Sequence, residues 1–336
     1  MKRLISYGFT LSLALAGAVC ILINAPAHGA GKASLYASSV GPFEIDRVDT
    51  ITLNDPAQKK DLQIRVTYPI GDSKADRLPV IVYSHGASGS KEAYEPLATY
   101  WAAHGYVVIQ PTHGDSLKLL GIRGILNKNK MWQHWNTRPL DIRLILDRFD
   151  EIEKKIPALA GRLDRQRIAM GGHSFGAHTT MAVGGLEFDV PFSGKVQYDD
   201  PRPKCLLMIS PQGPGTIITE KSYKTITRPA MIITGSNDTS VEKKPVSWRL
   251  KVFECIAPGD KYQVFIDGAY HGFGGIAGKV RYRSSGPAKP EQVDQVKTTA
   301  LAFFDAYVRE LPAARAFLES DQLERATDNT VHLKRK

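Results

Sequence analysis

A chain of 336 residues, 43% hydrophobic and 23% charged, has the composition of a globular protein with a large core, which excludes fibrous and disordered classes. Its net charge of +10 is scattered and accompanies no nucleic-acid-binding motif, so nucleic acid is excluded as a partner and the surplus reads as surface charge. No Pro/Ser-rich linker divides the middle, and a single domain is expected over residues 28–318.

At the N-terminus, Lys2 and Arg3 precede an apolar run from Leu11 to Ile23, and Ala25-Pro26-Ala27 offers small residues at a cleavage position. That is the pattern of a signal peptide over residues 1–27, which implies a secreted or periplasmic mature protein cleaved near Ala27. An uncleaved anchor is the alternative, but Ser6, Gly8, Thr10 and Ser12 dilute the run. Cys20 leaves with the leader. The sequence is equally compatible with one bridge between Cys205 and Cys255 or with two buried thiols.

Phe43–Thr52 and Leu62–Tyr68 alternate in short patterns, as antiparallel edge strands do. From Leu78 onward, short apolar runs at Val80–Tyr83, Tyr106–Gln110, Ile168–Gly171, Leu206–Ile209, Met231–Thr234 and Tyr262–Ile266 are separated by longer, partly helical segments. This rhythm predicts an α/β fold with a mostly parallel central sheet flanked by helices. One helix is predicted before the serine motif, with Ile142, Ile145, Leu146, Phe149 and Ile152 on one face. Another is expected from Pro290 to Val308. Residues 116–136 mix Leu117, Leu119 and Leu120 with Lys118, Arg123 and Lys128. They read either as a basic amphipathic flap over a site or as a surface excursion with some helix. Residues 319–336 are densely charged and read as a loosely held C-terminal tail.

The strongest chemical signal is Gly172-His173-Ser174-Phe175-Gly176, directly after a predicted strand and before a segment able to start a helix. Strand, sharp turn and helix are what a GxSxG nucleophile elbow requires, and the glycines let the backbone pass where side chains would clash. A serine hydroxyl is a weak nucleophile, so it needs an imidazole to take its proton and a carboxylate to hold that imidazole. Asp238 follows the strand ending near Thr234, and His271 follows the last predicted strand. The order Ser174, Asp238, His271 is the order such elbows use. Asp267 competes for the acid role but reads as a turn residue. His85, His104, His113, His134, His173 and His178 lack metal-ligand spacing and read as helix-end, core or surface residues. Oxyanion donors are expected from the Phe175 amide and from the Ser84–Gly89 loop, with the Ala87 amide the choice there.

The segments VIVYSHGASGS, GYVVIQPTHGDS, GGHSFGAH, ISPQGPG, ITGSND and GAYHGFGG resemble the platelet-activating-factor acetylhydrolase and dienelactone hydrolase-like branch of the α/β hydrolases, which is also similar to polyester hydrolases. The resemblance spans roughly residues 60–308. It implies the α/β-hydrolase fold, the triad Ser174, Asp238 and His271, and oxyanion amides at Ala87 and Phe175. Dienelactone hydrolases proper differ in using cysteine where this chain has Ser174. Polyester hydrolases typically carry an aromatic residue where Ala87 stands, so neither specificity is inherited.

The expected activity is hydrolysis of a carboxylic ester, short-acyl or lipid-like, through an acyl-enzyme, with no metal or organic cofactor. The partners expected are a small-molecule or lipid-like ester and a transient membrane or lipid surface. Phe175, Leu117, Leu119 and Leu120 are the candidate apolar wall. An acyltransferase, amidase or peptidase would use the same triad and differ in its products. A non-catalytic binding protein on the same fold would leave Ser174 unreactive. Serine at 174 argues against dehalogenase chemistry, which needs aspartate there.

Overall fold

The structure, a computed structural model, describes residues 33–37, 40–71, 77–125, 131–190, 194–240, 243–280 and 284–336. The leader expected over residues 1–27 lies outside them. Lys32–Lys336 forms one compact unit.

Chain order runs β1 (Glu44–Asp55), β2 (Lys60–Ile70), β3 (Leu78–Ser84), α1 (Glu95–Ala103), β4 (Val107–Thr112), α2 (Leu117–Ile125), α3 (Met131–Asp147), α4 (Phe149–Lys155), β5 (Leu163–His173) and α5 (Phe175–Val183). It continues with the small hairpin β6 (Phe188–Val190) and β7 (Gly194–Val196), then β8 (Pro203–Ile209), β9 (Ala230–Asn237), α6 (Val246–Cys255) and β10 (Lys261–Tyr270). The chain closes with α7 (Pro290–Tyr307), α8 (Pro312–Glu319), α9 (Gln322–Ala326) and β11 (Val331–Arg335).

The main sheet has the order β1-β2-β4-β3-β5-β8-β9-β10-β11. Strands β4, β3, β5, β8, β9 and β10 are mutually parallel, while β1 and β2 at one edge and β11 at the other run antiparallel to their neighbours. This is the α/β-hydrolase fold. Central strands read as unbroken apolar runs because both faces are covered: Ile81 and Tyr83 pack under α1 and α7, while Val80 and Val82 face α3, α4 and α5. The carboxyl ends of β3, β5, β8, β9 and β10, neighbours in the sheet, all open on one edge, where parallel sheets gather their sites.

Two expectations need correction, and one open alternative is resolved. The helix predicted through Ile142–Ile152 is two helices, α3 and α4, broken at Arg148, whose N–H bonds Ile145 O at 3.2 Å. The buried stripe crosses the break because one tight turn barely alters the helical phase. Residues 319–336 are not a loose tail: they form α9 and the edge strand β11, which pairs Ile266↔Val331 and Tyr262↔Arg335. Leu323 and Val331 are fully buried there, an apolar signal too sparse to stand out among the charges. Cys205 and Cys255 are free thiols, packed on opposite faces of the sheet, so the sheet itself separates them.

Candidate active site

Ser174 sits between β5 and α5 at φ 57°, ψ −117°, a left-handed conformation that costs a serine about 1–3 kcal/mol. The turn is tight enough to demand both glycines: a methyl at 172 would collide with the Gly176 carbonyl, and one at 176 with the Ser84 carbonyl. The second contact also presses the start of α5 against the loop after β3. Ser174 N–H bonds Ile209 O at 2.9 Å, fixing the elbow to β8.

The structure brings the three expected side chains together. Ser174 Oγ lies 3.0 Å from His271 Nε2, and His271 Nδ1 lies 2.8 Å from Asp238 Oδ1. Nδ1 faces a carboxylate and so carries the proton, which leaves Nε2 as an acceptor toward the serine. Ser174 is partly exposed, whereas Asp238 is fully buried. Burial pushes the Asp238 carboxyl up, but the His271 hydrogen bond, the Arg249 charge and the Ser210 hydroxyl outweigh it and hold it below the usual carboxylate value. Asp267 is no rival: it lies within β10 rather than in a turn, exposed, 3.3 Å from His332 Nε2.

Several supporting residues escaped the sequence reading. Ser210, just past β8, donates its hydroxyl to Asp238 Oδ1 at 2.9 Å and shares the Nδ1–H of His271 at 2.9 Å. Thr234 Oγ1 donates to Asp238 Oδ2 at 3.0 Å. Arg249 on α6 is buried, with Nε 3.2 Å from Asp238 Oδ1 and Nη1 on the carbonyls of Ser210 and Pro211 at 3.0 and 2.8 Å. Ser210 followed a predicted strand and was findable by the strand-end rule that found Asp238, whereas Arg249 carried no local signal.

Ala87 lies in the turn after β3, and Phe175 opens α5. Neither amide meets an acceptor among the described residues, as expected of the first N–H of a helix and of a turn held open. Gly86 N–H donates to Tyr94 Oη at 3.1 Å, Tyr94 O–H to His173 Nδ1 at 2.8 Å, and His173 Nε2–H to the His271 carbonyl at 2.8 Å. This relay ties the turn to the histidine loop. Burial keeps His173 well below the ordinary imidazole value, hence neutral, as the relay requires.

The expected apolar wall is only partly present. Phe175 is buried and stacks on Arg138, with Cζ 4.2 Å from the ring centroid, while Leu117 and Leu119 of α2 are exposed beside Ser88, whose carbonyl takes Leu117 N–H at 3.2 Å.

Fold and constellation define the class: an α/β-hydrolase carrying a serine–histidine–aspartate array at the carboxyl edge of its sheet. A family model described as Chlorophyllase matches residues 39–201. A similar curated protein is chlorophyllase type 0 of Chenopodium album, 25% identical over 155 residues that cover 44% of this chain and 42% of the relative. The chain therefore spans about two fifths of the length of the curated relative it matches. The family match includes Ala87, Ser174 and Phe175; Asp238 and His271 lie beyond it.

Proposed function

We propose that this protein is an exported serine hydrolase that cleaves carboxylic esters through an acyl-enzyme on Ser174, in or near the platelet-activating-factor acetylhydrolase-like branch. The observation that carries the reading is the continuous hydrogen-bonded path from Ser174 Oγ through His271 to Asp238, at 3.0 and 2.8 Å. The similarity to chlorophyllase supports the ester as the bond cleaved.

In this mechanism Ser174 Oγ attacks the ester carbonyl carbon as its proton passes to His271 Nε2, and Asp238 stabilises the imidazolium. The amides of Ala87 and Phe175 receive the oxyanion, each such donor supplying on the order of 3 kcal/mol in the transition state. Collapse expels the alcohol, which takes the proton from Nε2. Water, activated by the same nitrogen, then attacks the acyl-Ser174 carbonyl and releases the acid. The leader pattern over residues 1–27 is what supports the exported part of this reading. Leu117 and Leu119, exposed beside the Ala87 turn, are the surface assigned to an apolar ester or a lipid surface.

The test is turnover of p-nitrophenyl esters from acetate to palmitate, with chlorophyll, which the relative's name carries, as a separate arm. Turnover with covalent labelling of Ser174 by a fluorophosphonate is expected. Turnover unchanged in Ser174→Ala would remove the assignment.

A further inference from the structure

The Arg138 side chain, on α3 and fully buried, is spent on the turn that carries Ala87. Its planar head has five N–H groups, and the geometry accounts for all of them. Nε donates to Asp115 Oδ1 at 2.9 Å; Nη2 donates to Asp115 Oδ2 at 2.7 Å and to the Gly86 carbonyl at 3.2 Å. Nη1 donates to the His85 carbonyl at 2.7 Å and, at 3.4 Å, to Ser84 Oγ. Asp115 Oδ2 in turn accepts Ser88 N–H at 3.0 Å. His85 Nε2 accepts His113 N–H at 3.0 Å, so its Nδ1 is protonated and donates to the Gly86 carbonyl at 2.6 Å.

The Gly86 carbonyl and the Ala87 N–H belong to one planar peptide unit, and no peptide bond among the described residues is cis. In a trans unit the two groups point in opposite directions. Fixing the carbonyl therefore fixes where the amide hydrogen points, and a cation at the oxygen end draws electron density from the N–H. A buried ion pair is an expensive way to fill a core, because apolar residues of similar size often serve stability as well. Its worth here is the direction it gives the loop.

We infer that Arg138, braced by Asp115, is the positioning residue of the oxyanion hole: it sets the orientation and donor strength of the Ala87 amide while its flat face supports Phe175. This rests on the assignment of Ala87 and Phe175 as oxyanion donors under the proposed function. Arg138 touches no reacting atom and acts through the peptide it holds and the ring it supports.

The test uses the full chain with p-nitrophenyl butyrate as substrate and benzeneboronic acid as a tetrahedral analogue that bonds Ser174. Arg138→Lys keeps the charge but loses the fork. A donor that acts only in the transition state should then show as a fall in kcat of roughly 30- to 100-fold, with KM within about threefold. The boronate inhibition constant should rise in step with the loss of kcat, a shift that general loosening of the fold would not produce. Asp115→Asn, which keeps shape and neighbours, should lose less in the same pattern, and it carries the readout if the lysine variant does not fold. Unaltered kcat in a folded variant, or a fall in kcat with boronate affinity intact, overturns the inference. If the wild type neither turns over the ester in a Ser174-dependent way nor binds the boronate, it is the underlying hydrolase reading that fails.

Discussion

Two serine–histidine–aspartate arrays lie in this molecule with nearly the same hydrogen-bond geometry. At the candidate site the distances are 3.0 and 2.8 Å. In the second array, Ser84 Oγ lies 2.9 Å from His113 Nε2, and His113 Nδ1 lies 2.8 Å from Asp141 Oδ2. All three residues of the second array are fully buried, and Asp141 is further held by Lys60 at 2.5 Å. Ser84 ends an ordinary strand, while Ser174 sits on a left-handed turn at the mouth of a helix. The difference teaches that hydrogen-bond distances alone cannot single out a candidate nucleophile. What distinguishes the first array is a partly exposed serine on a left-handed turn at the start of a helix. The second array ties β3 to the loop after β4 and to α3.

The sharpest way to break this comparison is to delete each hydroxyl. Ser174→Ala should lower ester turnover by on the order of 10⁵–10⁶-fold, measured under single-turnover conditions. Ser84→Ala should keep turnover within about tenfold and lose about 1–2 kcal/mol of stability in urea unfolding. Comparable catalytic losses from the two would collapse the distinction.

Next in size are the acids. Asp238→Asn leaves the packing in place but presents the wrong imidazole tautomer, so kcat should fall on the order of 10⁴-fold. Asp141→Asn should instead cost about 2–3 kcal/mol of stability, since it strips a buried partner from His113 and Lys60. Denaturation and kinetics on both variants separate the two roles.

Acid acts on the buried second array through its histidine. Burial, then the Arg138 charge, lower His113 from 6.5 to about 4, against the opposing pull of Asp141. A histidine with a depressed folded value binds fewer protons folded than unfolded between pH 6.5 and 4. Its stabilisation is therefore complete above pH 6.5 and lost as pH falls through 4, on the order of 3 kcal/mol in all. The buried carboxylates Asp115 and Asp141 are also lowered, and their contribution is lost only below the ordinary value of 3.8. Urea titrations at pH 7 and 4.5 should show this loss together with that of His85, His173 and His178, which burial lowers likewise, and His113→Gln should remove the His113 share and leave the rest.

Much of this was legible in the sequence because the signals were local. The glycines around Ser174 mark a turn whose clashes are all within a few residues or with one neighbouring strand. Asp238 and His271 follow apolar runs whose ends a parallel sheet gathers. Both two-faced burial and the antiparallel first edge were readable from runs and alternation. Residues whose roles depend on distant partners were not: Arg138 matters through carbonyls more than fifty positions earlier, and Arg249 through Asp238. Val331 and Leu333 became visible as a strand only once β10 offered an open edge to pair with. Neither cysteine's spacing revealed that the sheet stands between them.

The smallest effect belongs to Ser210, and it tests how much the first array owes to its surroundings. Its hydroxyl gives Asp238 one hydrogen bond among several and shares the Nδ1–H of His271, so Ser210→Ala leaves Thr234, Arg249 and the main Nδ1–Asp238 bond in place. Losing one such bond at a site that remains satisfied costs about 1 kcal/mol, which is roughly a fivefold fall in kcat. Ser210 has φ 54°, a strain that alanine keeps and glycine relieves. Ser210→Gly should therefore match the alanine variant in kcat but exceed it in thermal midpoint. A thousandfold loss in Ser210→Ala would mean that the hydroxyl, rather than the carboxylate alone, sets the imidazole tautomer, and Asp238→Asn would then fall well short of its predicted effect.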